Sequence, residues 1–98
     1  MDFKLIWTEK ASDDLEAIVR YICRDDPETA RRIGFGIYDR VQILIANPEA
    51  GSRLPEKNDP IWRKLIFKSR KIVYRINRQD RTIEIARIWH AAQGEVEL

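Results

Sequence analysis

The apolar residues of this chain change their repeat at Pro48. Before it they recur every three to four residues in two blocks; beyond Pro60 they alternate or come in short bursts. A helical period followed by a strand period dictates two amphipathic helices first and a set of short strands last.

A single strand precedes the helices. Phe3, Leu5 and Trp7 alternate with Asp2, Lys4 and Ile6, so residues 2–7 read as extended. Thr8 stands where an N-cap belongs, and Glu9 follows in the first turn, where a negative charge suits the helix dipole. Ala11, Leu15, Ile18 and Ile22 then recur at helical spacing, with Asp13, Asp14, Glu16 and Arg20 mostly on the other face, giving a helix over 9–24. Asp26-Pro27 is a second start signal, an N-cap aspartate with proline at the first helical position. Ala30, Ile33, Ile37, Val41 and Leu44 line one stripe of that helix, and Asn47-Pro48 stops it. Gly34 and Gly36 weaken it, by up to about 1 kcal/mol each, and are expected to permit close approach to the first helix. So short a connection makes the two helices an antiparallel hairpin.

Residues 48–60 hold three of the four prolines and Gly51, and read as a loop. Three strands follow: Trp62–Phe67, Lys71–Asn77 and Thr82–Trp89. In the middle one Ile72, Tyr74 and Ile76 share one face and Lys71, Val73 and Arg75 the other, which puts Tyr74 in the core with a hydroxyl needing a partner. Gln79-Asp80-Arg81 is a turn. The apolar parity of the last strand shifts between Ile85 and Ile88, which calls for a bulge or for a central strand buried on both faces. The tight connections make these strands an antiparallel meander. The expected fold is α+β, ordered β-α-α-β-β-β, with the helical hairpin on one face of a small, mainly antiparallel sheet and a basic, open face opposite.

Ninety-eight residues support one core, so residues 1–98 are read as a single domain. The one cysteine, Cys23, forms no intrachain disulfide and is expected to pack within the helices. Met1-Asp2-Phe3-Lys4 lacks a basic region followed by an apolar run, and no apolar stretch approaches the roughly 20 residues that span a bilayer. The chain is expected to work in the cytoplasm, away from membranes. Its net charge of +2 is unevenly spread. Residues 1–50 carry 7 basic and 10 acidic side chains, net −3; residues 51–98 carry 11 and 6, net +5. Nine basic residues against Asp80 and Glu84 give residues 62–88 a charge of +7. Such a split suits an acidic partner or a polyanion.

A set of short motifs in fixed order identifies a family. Trp7-Thr8-Glu9-Lys10-Ala11 leads into Asp14-Leu15, Ile18 and Tyr21-Ile22; Pro27 and Ala30 follow, then Leu44, Pro48 and Gly51. Arg63 and Leu65 precede Lys71-Ile72-Val73-Tyr74-Arg75-Ile76, and Ile83, Ile85, Ile88 and His90 close the series. Over nearly its whole length the chain resembles the RelE/ParE toxin superfamily of type II toxin–antitoxin (plasmid stabilisation) systems. The resemblance implies the fold already read and a poison neutralised by a co-expressed antitoxin. It also implies one of two actions: ParE-like members block DNA gyrase, and RelE-like members cleave mRNA in the ribosome. The helical half is more similar to the ParE-like branch.

Cleavage of RNA by its own 2′-hydroxyl needs a base, cations on the crowded phosphate and an acid for the leaving oxygen. Arg63, Lys64, Arg70, Lys71, Arg75 and Arg87 offer cations, and the single histidine, His90, offers proton transfer. On that branch His90, Arg63 and Lys71 would be catalytic. RelE-like nucleases place further basic residues and a catalytic Tyr or His near the chain's end. Here no Lys or Arg follows Arg87, no tyrosine follows Tyr74, and Glu95-Val96-Glu97-Leu98 is acidic. The expectation is therefore a gyrase-directed toxin that is not itself an enzyme and uses neither cofactor nor metal. Arg63, Lys64, Arg70, Lys71, Arg75 and Arg87 would contact target or antitoxin. An acidic, amphipathic antitoxin segment of the ParD type would dock along the hairpin and the sheet edge. The alternatives are a ribosome-dependent endoribonuclease and an interaction module without toxicity.

Overall fold

The structure is a computed structural model and describes residues 2–98, so Met1 lies outside it. Its elements are β1 (Lys4–Trp7), α1 (Glu9–Cys23), α2 (Pro27–Gln42), β2 (Ser52–Arg53), β3 (Trp62–Phe67), β4 (Arg70–Asn77) and β5 (Thr82–His90), with 3-10 turns at Ile43–Ile45 and Ala91–Gln93. The sheet runs β1-β5-β4-β3-β2. β1 is parallel to β5 and the other pairs are antiparallel, so the α+β reading holds.

The local signals act where the sequence puts them. The Thr8 side chain accepts from the Ala11 N–H at 3.2 Å and donates to the Ile85 carbonyl at 2.8 Å, so one hydroxyl caps α1 and ties it to β5. Asp26 accepts from the Thr29 N–H at 3.1 Å with Pro27 at the first position of α2. The Thr29 side chain and backbone hold the Asp26 carboxyl below its usual pKa. In the turn before β5, Asn77 Oδ1 accepts from the Asp80 N–H at 3.0 Å while Arg81 adopts φ 53°.

Ala30, Ile33, Ile37 and Val41 of α2 are buried, and so is Leu44, which continues the stripe into the 3-10 turn. The stripe meets Leu65, Ile72, Tyr74, Ile76, Ile83, Ile85 and Ile88 from the sheet, and α1 adds Ala11, Leu15, Ile18 and Ile22. Each fully buried aliphatic side chain contributes about 1.5–3 kcal/mol, which outweighs the intrinsic weakness of a glycine-containing helix. Both explanations for the parity shift in β5 hold. Val73 faces Arg87 while Tyr74 faces Ile85, so Ala86 is the extra residue of a bulge. That residue returns Ile88 to the helix side beside Ile83 and Ile85 and sends Trp89 to the opposite face.

Four expectations change. Gly34 does approach α1, with Val19 Cγ2 3.1 Å from where a Cβ would stand, but a Cβ at Gly36 would instead run into the Phe67 ring of β3. Cys23 is exposed, because α1 turns that position outward at its end. The 48–60 loop contains β2, which the Gly- and Pro-rich surroundings conceal. The face away from the helices is not open: Leu54, Val73, Trp89 and Val96 form a second apolar cluster there, with Trp62 and Ala86 against it.

Candidate functional site

Residues directly opposite in a sheet share a face, so the register assigns every basic side chain to a side. Three rows cross the face away from the helices. Trp62, Arg75, Glu84 and Ile6 form the first; Ser52, Lys64, Val73 and Arg87 the second; Ile66, Lys71 and Trp89 the third. The helix side carries Arg53, Arg63, Tyr74 and Ile85 in one row and Phe67, Arg70 and His90 in another. Lys64, Lys71, Arg75 and Arg87 thus stand on one face, and Arg63, Arg70 and His90 on the other. His90, Arg63 and Lys71 do not converge on one point.

Most of the cations on the outer face already have acidic partners. Lys71 Nζ lies 3.9 Å from Glu56, Arg75 pairs with Glu84, and Arg87 Nε and Nη2 donate to Asp14 at 2.8 and 3.0 Å. Arg75 also stacks over Trp62, 5.9 Å from the ring centre, and Arg87 over Trp89 at 4.9 Å. Three of the four cations on this face are therefore paired, Lys71 and Arg87 with carboxylates from outside residues 62–88.

The segment 94–98 lies across this face. The Gly94 carbonyl accepts from Trp89 Nε1 at 3.1 Å, the Glu97 carbonyl from Arg87 at 3.0 Å, and the Val96 N–H donates to Glu56 at 3.0 Å. Val96 is buried among Leu54, Val73 and Trp89. The Val96 N–H, with help from Lys71 and Lys64, holds the Glu56 carboxyl below its usual pKa against the cost of burial. Sequence reasoning missed both Glu56 and Val96; the only available signal was an apolar residue inside an acidic tail.

On the helix side, Tyr74 is the anchor expected of it. Its hydroxyl donates to the Pro48 carbonyl at 2.8 Å and accepts from the Gly51 N–H at 2.9 Å. Burial pushes its pKa above 10.0. The Gly51 carbonyl in turn accepts from Arg63 Nη1 at 2.8 Å. A side chain at Gly51 would meet the Lys64 carbonyl at 2.4 Å and the Tyr74 hydroxyl at 2.7 Å, so only glycine fits. His90 Nδ1 accepts from the Ala92 N–H at 3.0 Å, and Arg70 Nε, buried, has no hydrogen-bond partner among the described residues.

The hairpin offers a different surface. Two adjoining grooves of about 630 and 530 Å³ share Leu15, Val19, Cys23 and Tyr38 in their walls, the second extending to Gly34 and Phe35. Tyr21, Phe35 and Tyr38 are 71%, 63% and 50% exposed. Two of these, Phe35 and Tyr38, stand in the groove walls, and large aromatics in water at an apolar groove mark a protein-binding surface. Among the described residues no helix is long and apolar enough to cross a membrane.

The fold is thus a helical hairpin over a five-stranded sheet, with an apolar groove on the hairpin and segment 94–98 laid across the opposite face of the sheet. The sequence matches the family model described as the ParE toxin of the type II toxin–antitoxin system parDE over residues 5–94, and the chain belongs to that family. A search of the curated proteins finds no match. Among solved structures it is similar to a chain of the chromosomal ParDE toxin–antitoxin system from P. aeruginosa, 27% identical, with a TM-score of 0.74 over 90% of this chain and 95% of that one. The fold is also shared with a chain of the toxin–antitoxin complex RelBE2 from Mycobacterium tuberculosis: 20% identity, TM-score 0.69, covering 92% and 99%. It is shared again with a free-state mutant of the E. coli toxin RelE: 14% identity, TM-score 0.69, covering 96% and 88%.

Proposed function

We propose that this toxin acts on DNA gyrase by binding rather than by catalysis, and that a cognate antitoxin holds it in check through the hairpin groove and the adjoining sheet edge. The observation that carries the first half is the division of the candidate ribonuclease residues. Proton transfer and phosphate stabilisation need groups within hydrogen-bond reach of one bond. Arg63 and His90 lie on the helix side in separate rows, while Lys71 lies on the other face beside Glu56. His90 Nδ1 is engaged by the backbone of Ala92. The second half rests on the exposed Phe35 and Tyr38 in the groove walls, and on the similarity to a chain of a ParDE system. An amphipathic segment that folds on binding would cover these aromatics.

The test is purified protein assayed in parallel for inhibition of gyrase supercoiling and for ribosome-dependent mRNA cleavage. Supercoiling inhibition without cleavage is the expected result. His90→Gln should leave it within a few-fold of wild type, because the toxin transfers no proton. Cleavage by the wild type that disappears in His90→Gln would make the protein an endoribonuclease, since general acid–base catalysis is worth about 10²–10⁴-fold. Failure to arrest growth or to act in either assay would leave only a binding module.

A further inference from the structure

Residues 60–79 contain seven cations and no acidic residue. The fold brings carboxylates to three of the seven: Glu56 to Lys71, Glu84 to Arg75 and Glu49 to Arg78. The other four, Arg63, Lys64, Lys68 and Arg70, make no ion pair among the described residues. Arg53, also unpaired, stands directly opposite Arg63 across β2 and β3, where like charges oppose folding. These unpaired cations share one margin of the sheet. It runs from β2 along β3 to the turn into β4, where Phe67 faces Arg70 and Lys68 adopts φ 54°. Five residues separate Arg63 from Lys68, about 16 Å of extended chain.

The same margin has an open backbone edge. The Leu54 N–H donates to the Trp62 carbonyl and the Ile76 N–H to the Ile61 carbonyl, so the even-numbered residues of β3 face β2 and the odd-numbered ones face β4. β2 ends at Ser52, opposite Lys64. Ile66, the next residue facing that way, therefore directs its N–H to no strand, between Lys64 and Lys68, and is 49% exposed.

We infer that this margin binds the phosphate backbone of duplex DNA, with Arg53, Lys64, Lys68 and the Ile66 N–H on the phosphates. Phosphate oxygens accept from lysine, arginine and main-chain N–H groups alike. A protein partner fits less well, because lysine is depleted at protein interfaces and a single exposed isoleucine supplies no apolar centre. B-DNA presents a phosphate about every 3.4 Å along each strand, so the margin faces four or five of them. Arg63 and Arg70, half-buried, add to the positive potential. That the duplex is the one held by gyrase rests on the function proposed above; the contact itself does not.

The probe is a fluorescein-labelled sixteen-base-pair duplex, titrated with the purified toxin in the absence of gyrase and followed by anisotropy from about 50 to 200 mM salt. Saturable binding that weakens steeply with salt is expected. Lys64→Gln combined with Lys68→Asn, asparagine being tolerated at positive φ, should weaken binding about tenfold and reduce the salt slope by about 2. Arg24→Gln with Arg32→Gln removes the same charge from the helical hairpin and should leave both nearly unchanged. In the ¹⁵N-labelled wild type the Ile66 and Lys68 amides should shift with the duplex, and those of Leu15 and Val19 in the groove should not. Absence of binding at about 50 mM salt, equal losses in the two double variants, shifts centred on the hairpin, or tighter binding of an RNA hairpin of equal length would overturn the inference. A toxin that binds the duplex through this margin yet leaves supercoiling untouched would uphold the surface and remove gyrase as its target.

Discussion

Asp14 of α1 and Arg87 of β5, 73 residues apart in sequence, meet in a two-point clasp. The same carboxylate accepts from the Ile88 N–H at 3.0 Å. β1 reaches only as far as Ile85, so Asp14 stands in for the missing neighbour strand just where β5 becomes an edge. Both side chains are about one-fifth exposed, at 18% and 19%. Arg87→Ala should therefore lower unfolding free energy by about 1–3 kcal/mol, below the cost for a fully buried pair because water still reaches the site. A double-mutant cycle with Asp14→Ala, followed by urea denaturation, should show the coupling. Unchanged stability in Arg87→Ala would return Arg87 to the set of side chains available for a target.

Tyr74→Phe keeps the ring and removes only the hydroxyl. It leaves the Gly51 N–H without its acceptor in a buried setting and takes the donor from the Pro48 carbonyl. The expected cost is about 1–3 kcal/mol in chemical denaturation. A loss below about 0.5 kcal/mol would mean that water takes the hydroxyl's place.

Gly36→Ala places a methyl group 2.3 Å from Phe67 Cζ, inside contact distance. The ring must move, and overpacking of this kind costs about 1–3 kcal/mol. Combining it with Phe67→Leu should recover part of that loss. If the double variant is no better than the sum of its parts, the clash is not with the ring.

Acid should release segment 94–98 before it unfolds the domain. The Glu56 carboxyl is held below its ordinary value of 4.5 by the Val96 N–H. Its contribution is complete above that value and is lost as pH falls through the lower, folded one. Trp89, which donates to Gly94 and packs on Val96, reports the event. Its fluorescence should change below about pH 4.5 while far-ultraviolet circular dichroism holds. Glu56→Gln should abolish this early step; an unchanged profile would place the transition elsewhere.

Periodicity and capping were enough to place α1, α2, β4 and β5, because each is specified by residues within the element. The bulge at Ala86 was legible for the same reason: it shifts parity within one strand. What depended on distant partners was not. Whether Arg63 and Lys64 point toward the helices follows from pairing with Tyr74 and Val73, and β3 has no clean alternation of its own. The +7 stretch looked like an open basic face because Asp14 and Glu56, which pair with Arg87 and Lys71, lie outside it. Val96 was unreadable as core since its cluster is assembled from Leu54, Val73 and Trp89, none adjacent in sequence.

The parallel pairing of Lys4–Trp7 with Thr82–Ile85 carries a kinetic consequence. A ribosome makes the first strand and both helices well before the strand that must receive β1 exists. Closing so long a loop is slow compared with forming the hairpin, and during synthesis it is forbidden until residue 85 has emerged. The nascent chain therefore spends most of its synthesis without a finished sheet. A toxin built this way cannot close its sheet before β5 is made, which gives any guardian made alongside it a head start.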